Sequence, residues 1–496
     1  MSRKTLIILT GLAIFGFYLR SYLFPANLFF GPEQGTDFKV IRDIVVSHKF
    51  TLIGPKTDIA GVFHGPIYYY LACIPFFFSQ GDPYTVALFF ILIQSLSVFL
   101  IFFLSYELTE SKRIAYIASL LYTVSFGAIS YSRWLSGQPL TIPLSALFFL
   151  FTIRFLKGEK WSLAGAAVTF GLMGQAEFMN LLLVSAIGLF LFFRYCNKIV
   201  SYPKRFLIFS FCIALIFSLG NFALFDFRHE FLISKSIMSL VSGTKGYYIS
   251  LFQSLIETYD MFISASMNIL GLPNTYITTI VVWCIVAILF IHKGKNQYYP
   301  LLFFWIFVPN AILIILRHRA LEQLYVLLVV GIILGVSVVI DIIRQQFYPA
   351  LGTLIFLLLV FLNMSLWFTS LPANYRIFFQ STQPGLRYDD QLQSVKYIYD
   401  LANGRQFYFQ SYTIPYFWQD GWEYLFWYYA IKNTYVLPNE KHDELLYVII
   451  QKDRSNPRFQ QVWYEKTVSR WGLLQNSVTF GELTVEERIK EGRYEK

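Results

Sequence analysis

The chain has 496 residues, of which 56% are hydrophobic and 14% charged, and its net charge is +10. A soluble domain cannot bury that much apolar surface, so the composition predicts a polytopic helical membrane protein. The positive charge does not indicate nucleic acid as a partner, because many of the basic residues lie in short loops between apolar segments. The four cysteines are scattered in or beside apolar stretches and show neither a disulfide framework nor metal-ligand spacing.

Apolar runs long enough to span a bilayer recur along most of the chain. The first follows Met1-Ser2-Arg3-Lys4 directly and has no small-residue cleavage site after it, so we expect a retained span rather than a signal peptide. The run 66–79 is short for a span and contains three consecutive tyrosines, which favours a position at the membrane interface. The predicted spans lie near 5–23, 84–106, 114–131, 139–156, 161–177, 178–194, 206–225, 276–292, 299–316, 322–340 and 349–369.

The basic residues predict the orientation. With 66–79 at the interface, the basic clusters of five later loops share one side, and the opposing short loops hold only Arg133, Arg317 and Arg319. The positive-inside rule then predicts about eleven spans, a cytoplasmic N-terminus and an external C-terminus. No charged residue lies well inside a predicted span, which argues against an ion-coupled transporter.

From about residue 373 the composition becomes that of a soluble domain. Periodicity predicts helices at 391–401 and 421–432 and strands at 406–413, 445–452 and 481–489. A further surface helix is expected at 254–267. The expected fold is therefore a mainly α, polytopic membrane region, 1–372, followed by a small external α/β domain, 373–496.

The segment 24–80 is the predicted first external loop, and it combines acids and cations beside a bilayer surface. It contains Glu33-Gln34-Gly35-Thr36-Asp37 and then an amphipathic pattern over 37–47, for which Thr36 is the predicted N-cap. Glu33 would precede the helix N-terminus, where the backbone favours a carboxylate or a bound anion. The alternative is that Glu33 and Asp37 are ordinary solvated loop acids.

The same loop ends with a turn and an aromatic segment. His64-Gly65-Pro66 leads into Ile67-Tyr68-Tyr69-Tyr70, and Lys56 lies a few residues earlier. Lys56 and His64 are candidate contacts for a lipid phosphate at the interface, although a histidine beside a Gly-Pro turn is also a common structural element.

This layout resembles the integral-membrane glycosyltransferases of the GT-C fold, particularly the protein O-mannosyltransferases and the lipid A aminoarabinose transferases. Their first external loop begins with an acidic motif, typically Asp-Glu, and ends with a Lys/His-Pro-Pro-like turn before an aromatic surface helix. The matching segments here are Glu33-Gln34 and His64 to Tyr70. The chain departs from the pattern at Gln34, at Thr36 in place of a basic residue, and in the segment 132–138, which lacks the acid often found after the third span.

The resemblance implies a polyprenyl-phosphate-linked sugar as donor and an acceptor hydroxyl attacking on the external face with inversion. It implies no cofactor and no metal. Glu33 is the first candidate for the catalytic base and Asp37 the second. The candidate substrate-binding residues, which include the cations and polar groups expected at this face, are Lys56, His64, Tyr68, Arg133, Gln138, Glu177, Arg317, His318, Glu322 and Tyr325.

Two other functions remain open at this stage. One is a transporter or flippase of lipid-linked glycans, and the other is a non-catalytic relative that binds a lipid-linked sugar. The sequence does not identify the sugar, and the acceptor can be a lipid, a protein or an envelope glycan.

Overall fold

The computed structural model describes residues 2–241, 249–292, 296–317, 321–346, 348–370, 386–439 and 445–490. The chain divides into two compact units. The first unit comprises Met1–Tyr22, Thr51–Tyr68 and Phe90–Thr369, and the second comprises Leu23–Phe50, Tyr69–Phe89 and Ser370–Lys496. The domain boundary predicted at 372/373 lies outside the described residues.

Most helices of the first 370 residues are long and apolar, as the composition predicted. Their bounds are α1 Arg3–Ser21, α2 Phe24–Asn27, α3 Pro32–Ser47, α4 Ile67–Ser79, α5 Pro83–Thr109, α6 Lys112–Val124, α7 Phe126–Ser132, α8 Thr141–Lys157, α9 Ser162–Ala176, α10 Asn180–Val200, α11 Lys204–Arg228, α12 Leu232–Val241, α13 Leu251–Leu270, α14 Thr275–Ile291, α15 Tyr299–Leu316, α16 Leu328–Gln346 and α17 Pro349–Ser370. Short 3₁₀ turns, Gln138–Leu140 and Glu322–Leu327, precede α8 and α16.

Within the described residues, eight helices are long and apolar enough to cross a membrane, or up to ten if each of two bent pairs is one span. The bent pairs are α6 with α7, at 57°, and α13 with α14, at 88°. The predicted span 161–177 corresponds to α9, which has only 15 residues. The expected interfacial run forms α4, a 13-residue helix shorter than the candidate spans. The multi-pass helical architecture is confirmed, and the interfacial position of α4 stays a prediction.

The core of the first unit is built around α16. This helix is apolar on all sides and is buried along nearly its whole length, which is the pattern of a helix surrounded by other helices. Trp305 of α15 stacks on Phe149 of α8 with ring centroids 3.5 Å apart, and its indole N–H donates to the Leu327 carbonyl at 2.9 Å. By contrast, large apolar side chains of α10 and α11 are exposed, including Phe193 and Ile216, as expected of lipid-facing helices.

The two helix breaks of the first unit meet at one asparagine. Asn363 of α17 is 2% exposed; its side-chain oxygen accepts from the Phe126 N–H at 2.8 Å, and its amide donates to the Leu270 carbonyl at 2.8 Å. Ser125 donates its hydroxyl to the Ile269 carbonyl at 2.7 Å. Backbone groups freed at a break inside a membrane must find partners within the protein, and these side chains supply them.

The second unit contains a small sheet and three further helices. The helices are α18 Tyr388–Ala402, α19 Asp420–Asn433 and α20 Pro457–Lys466, and the strands are β1 Tyr408–Tyr412, β2 Leu445–Gln451, β3 Leu473–Phe480 and β4 Leu483–Ile489. The strand order is β1-β2-β4-β3; β1 and β2 are parallel, and β4 is antiparallel to both of its neighbours. The predicted α/β fold is confirmed, whereas the sequence reading missed β3 and α20.

Helices cover both faces of this sheet. On one face the ring of Phe426, from α19, lies 4.4 Å from that of Phe409, and Phe407 lies 5.3 Å from Tyr447. On the other face Trp463, from α20, lies 4.9 Å from Tyr412. Because both faces are covered, β2 is buried along its length, as its continuous apolar sequence predicts.

Candidate functional site

The helix that carries the two candidate acids begins earlier than its apolar pattern predicted. Gly31 is the N-cap and Pro32 the first helical residue of α3, and the Gln34 side chain accepts from the Gly31 N–H at 3.1 Å. Proline suits this position because its φ is already helical and its missing N–H needs no partner. The predicted start at Asp37 with Thr36 as N-cap is therefore wrong: Thr36 lies inside the helix and donates its hydroxyl to the Pro32 carbonyl at 3.1 Å.

Glu33 and Asp37 are four residues apart on α3, so they lie on adjacent turns of the same helical side. Their surroundings differ. Glu33 is exposed in the first turn, where the helix dipole favours negative charge. Asp37 is only 7% exposed. The pair therefore combines one accessible carboxylate with one carboxyl that is withdrawn from water.

Tyr69 holds the buried carboxyl by donating its phenol to Asp37 Oδ1 at 2.7 Å. Burial raises the pKa of Asp37 to about 8; the Tyr69 hydrogen bond lowers it in part, and the charge of Glu33 adds to the rise. Burial and a neighbouring negative charge both penalise the carboxylate, whereas a donated hydrogen bond favours it. Sequence reasoning missed Tyr69, since the run of three tyrosines does not show which ring reaches an acid.

A second polar cluster lies in the first unit and is centred on His64, whose side chain is buried. The Nδ1 atom accepts from the Phe178 N–H at 3.2 Å, and Nε2 lies 3.2 Å from the Gln138 amide. Glu177 Oε1 lies 3.8 Å from Nδ1, too far for a hydrogen bond. The structure thus brings together three of the predicted site residues, His64, Gln138 and Glu177, all of them buried.

This geometry determines the tautomer of His64. Because the Phe178 N–H occupies the lone pair of Nδ1, the neutral ring carries its proton on Nε2. The amide nitrogen of Gln138 lies 3.2 Å from Nε2, and the Ser136 hydroxyl donates to the amide oxygen of Gln138. Exchanging these two amide atoms, which have nearly the same shape, lets Nε2–H donate to the amide oxygen. His64 therefore uses both ring nitrogens to tie the end of the first loop to two other segments of its unit.

Arg133 and Tyr68 are also buried in the first unit. Each is 1% exposed. One guanidinium nitrogen of Arg133 donates to the carbonyls of Arg20 and Tyr22, at 3.1 and 3.0 Å. These carbonyls lie at the C-terminal end of α1, where a cation also complements the helix dipole. The ring of Tyr68 lies 5.3 Å from that of Phe90.

The remaining candidates lie apart from the His64 cluster along the chain and differ in exposure. Lys56 and Arg317 are exposed, and Glu322 is half-buried. Tyr325 is 1% exposed and donates its phenol to the Thr258 carbonyl at 2.9 Å. His318 lies outside the described residues. Among the residues that the structure describes, no group of three or more His, Cys, Asp or Glu side chains is arranged to hold a metal ion.

The helices and the α/β region together define a multi-pass membrane protein with the GT-C fold. ArnT from Cupriavidus metallidurans has a similar architecture. The structure of ArnT bound to undecaprenyl phosphate has a TM-score of 0.60 to this chain at 10% identity, and the match covers 99% of both chains. The apo structure of the same protein gives 0.58 at 10% identity over 98% of each chain. The resemblance inferred from the sequence is confirmed at the level of fold.

Two further comparisons agree with this fold. An oligosaccharyltransferase from Archaeoglobus fulgidus, solved in complex with zinc and sulfate, has a TM-score of 0.52 at 15% identity and matches 96% of this chain and 72% of its own. The family described as dolichyl-phosphate-mannose-protein mannosyltransferase matches residues 64–220, which is less than half of the chain. A sequence search among curated proteins finds no match.

Proposed function

We propose that this chain is a membrane glycosyltransferase that transfers a sugar from a polyprenyl-phosphate donor to an acceptor hydroxyl on the external face of the membrane. Two comparisons support the donor class: the similarly folded ArnT binds undecaprenyl phosphate, and the family matched over 64–220 is described by a dolichyl-phosphate sugar. The observation that carries the proposal is the carboxyl pair on α3, one accessible and one buried, in a chain whose fold matches ArnT along its whole length.

Glu33 is the proposed catalytic base, because its side chain is exposed and lies in the first turn of α3. Asp37 is proposed as the second acid, whose charge changes the electrostatic potential at Glu33. Its carboxyl is held in place by the hydrogen bond from Tyr69. The raised pKa of Asp37 lets this carboxyl keep its proton near neutral pH, whereas the exposed Glu33 is not withdrawn from water in the same way.

In the proposed step, the acceptor oxygen attacks the anomeric carbon as Glu33 removes the hydroxyl proton. The bond between the anomeric carbon and the phosphate oxygen breaks, and the electron pair leaves with the polyprenyl phosphate. Attack from the face opposite the phosphate inverts the anomeric configuration. The leaving phosphate needs no proton if cations stabilise its growing charge.

The exposed cations Lys56 and Arg317 are the proposed phosphate contacts. The sequence made His64 a candidate phosphate contact, but we propose a structural role for it instead. Its two ring nitrogens already bind Phe178 and Gln138, so we assign it to holding the loop in place. Glu177, Glu322 and Tyr325 remain candidates for hydroxyl groups of the sugar.

The proposed orientation has the N-terminus in the cytoplasm and the region 373–496 outside, in accordance with the distribution of basic loop residues. Reporter fusions test it. An alkaline phosphatase joined after residue 490 should be active only if that end is external, and a fluorescent protein that matures only in the cytoplasm should stay dark there. The reverse pattern would invert the orientation and exclude external catalysis.

The activity is tested by reconstituting the protein in vesicles with a pool of radiolabelled polyprenyl-phosphate sugars and candidate acceptors. Wild type should release labelled sugar from the lipid, and Glu33→Gln should lower kcat by about 10²–10⁴-fold, the usual contribution of a general base. Asp37→Asn should lower it less and change its pH dependence. Asp400→Asn, which alters an exposed carboxylate of α18, is the matched control and should leave kcat unchanged.

Other outcomes assign other functions. Equal turnover by wild type, Glu33→Gln and Asp37→Asn would remove the catalytic role of α3. Movement of the lipid across the bilayer without sugar release would favour a flippase. Saturable lipid binding with neither transport nor transfer would favour a non-catalytic binding protein.

A further inference from the structure

The helix that carries the two acids is in backbone contact with helix α19 of the C-terminal α/β region. A Cβ atom on Gly35 would overlap the backbone at Asp420 and Gly421. A Cβ atom on Gly421 would lie 3.2 Å from the Gly31 carbonyl oxygen, a tight contact. Gly35 is therefore needed for the two helices to approach this closely, and Gly421 avoids a second tight contact.

Side chains extend this contact along α3. Phe38 meets Tyr424 edge to face with centroids 5.1 Å apart. The ammonium group of Lys39 lies 2.8 Å from Asp420 Oδ1 and 2.6 Å from Glu423 Oε2. One turn further along, the guanidinium of Arg42 makes a cation–π contact with Trp427 of α19, 5.4 Å from the ring centroid. The α3 residues that contact α19 are Gly35, Phe38, Lys39 and Arg42.

These contacts and the two acids lie on opposite sides of α3. At about 100° per residue, the four contact residues spread over roughly one third of the helix circumference. Glu33 and Asp37 lie close together on the other side, nearly half a turn away. Helix α19 therefore supports the back of α3 without covering the side that carries the carboxyls.

The same helix also contacts α4, which carries Tyr69. The ring of Trp427 stacks on Phe76 of α4, with centroids 6.3 Å apart and planes 19° from parallel. The phenol of Tyr424 donates to the Gly81 carbonyl, just after α4, at 2.5 Å. Phe76 also lies 6.3 Å from Phe38 of α3. Helix α19 thus holds both helices that form the pair Asp37–Tyr69.

We propose that α19 is a positioning element for the acid pair, and that the C-terminal α/β region acts on the reaction by fixing α3 against α4. Gly35, Lys39 and Trp427 are then positioning residues and not catalytic ones, since they act through Glu33, Asp37 and Tyr69. This inference rests on the proposed glycosyl transfer for its role, but the contacts that carry it are independent of the substrate.

The test compares three variants at the contact with a matched control. Gly35→Ala forces α3 away from α19, Trp427→Ala removes the rings' stacking on Phe76, and Trp427→Phe restores an aromatic ring. Gly188→Ala is the control, because a Cβ there meets nothing within 4 Å. Each variant is checked for monodispersity in detergent. The quantities then measured are kcat, its pH dependence, and KM for the lipid-linked donor and for the acceptor.

The expected result is a fall in kcat of about 10–100-fold for Gly35→Ala, since a misplacement of about 1 Å costs on the order of 10²-fold. KM for the donor should stay within about twofold, because the variant contacts no substrate. The pH profile should shift, since the Asp37–Tyr69 pair is disturbed. The kcat of Trp427→Ala should lie between those of Gly35→Ala and wild type. Trp427→Phe should recover most of the activity, and Gly188→Ala should match wild type.

Two results would overturn the inference. The first is a well-folded Gly35→Ala and Trp427→Ala with wild-type kcat and pH profile. The second is an effect confined to KM for the acceptor, which would give the C-terminal region a role in acceptor binding. If Gly35→Ala does not fold, Lys39→Ala replaces it, and the same two results decide.

A readout without turnover separates this inference from the proposed function. The pH dependence of thermal unfolding is compared between wild type and Asp37→Asn. The size of the difference between the two reports the environment of Asp37. If wild type shows no transferase activity, the proposed function fails. The positioning inference still stands if Trp427→Ala reduces that difference and Trp427→Phe restores it, and it fails if neither variant changes it.

Discussion

The phenol of Tyr69 donates to Asp37 Oδ1 at 2.7 Å, and this bond joins helix α4 to the helix that carries both candidate acids. Asp37 has little other access to water, as it is 7% exposed. Loss of hydration and the nearby charge of Glu33 both disfavour its ionised form, so the pKa of Asp37 rises to about 8 despite the hydrogen bond. The protonation of Asp37 therefore changes with pH in the physiological range, so its effect can be measured by varying the pH.

We expect Asp37→Asn to flatten the pH dependence of thermal unfolding. The folded protein binds a proton at Asp37 with a pKa of about 8, whereas the unfolded chain has a pKa of about 3.9. The stability that this proton contributes is complete below about pH 4 and is lost as the pH rises through 8. Asparagine does not titrate, so the variant should melt at a higher temperature than wild type at alkaline pH. Tryptophan fluorescence in detergent, recorded between about pH 5 and 9, measures this.

Two further variants make the result specific. Tyr69→Phe removes the hydrogen bond that favours the carboxylate, so the pKa of Asp37 should rise and the loss of stability should move to higher pH. Asp400→Asn, at an exposed carboxylate, should keep the wild-type pH dependence. If Asp37→Asn and Asp400→Asn melt with the same pH dependence, Asp37 is not a buried acid of raised pKa.

Substitution of His64 should affect stability more than donor binding. His64→Ala takes partners from the Phe178 N–H and the Gln138 amide, and each buried group left unsatisfied costs about 1–3 kcal/mol. His64→Asn should be milder, because its amide oxygen can accept from the Phe178 N–H in place of Nδ1. The melting temperature in detergent measures the order of the two variants. A large rise in donor KM for His64→Asn, at unchanged stability, would instead assign His64 to the phosphate.

Removal of divalent metal should leave the proposed transfer unchanged. In the proposed step, protein cations such as Lys56 and Arg317 stabilise the negative charge of the leaving phosphate, so no metal ion is needed for this purpose. Turnover is measured after dialysis against EDTA and again after addition of Mg²⁺ or Mn²⁺. Loss of activity on chelation with recovery on addition of metal would contradict this assignment, and Lys56→Ala should reduce turnover whatever the metal content.

The long apolar elements were predictable because a bilayer-spanning helix needs about twenty apolar residues in a row, a signal contained within one segment. The edge strand β3 was missed because its sequence does not alternate and nearly all of its residues are exposed. Helix α20 was missed for a similar reason: within it only Trp463 is buried. An element that buries little has no strong periodicity to detect.

The candidate site shows a second limit. Glu33 and Asp37 were recognisable from charge beside an apolar region, and His64 from its turn. The contacts that hold these residues join distant positions: Tyr69 to Asp37, and Gly421 to Gly35. Spacing along one helix carries no information on which ring or glycine of another element meets it. Those pairings come only from the folded chain.

Asn363 should be the most sensitive polar residue of α17. Its side chain serves both helix breaks of the first unit, accepting from the Phe126 N–H and donating to the Leu270 carbonyl. Hydrogen bonds between membrane helices contribute about 0.6 kcal/mol on average and up to about 1.7, so Asn363→Ala should lose about 1–3 kcal/mol. Thr369→Ala is the control, since that exposed hydroxyl bonds only within its own helix.

Asn363→Asp separates the contributions of the two hydrogen bonds of Asn363. It keeps an acceptor for the Phe126 N–H but loses the donor to the Leu270 carbonyl, and it places a charge where burial disfavours it. It should therefore be at least as destabilising as Asn363→Ala, while Asn363→Gln should retain both functions with some strain. Unfolding in mixed micelles of increasing SDS fraction ranks the four variants. Equal midpoints for Asn363→Ala and Thr369→Ala would show that the breaks are stabilised by packing alone.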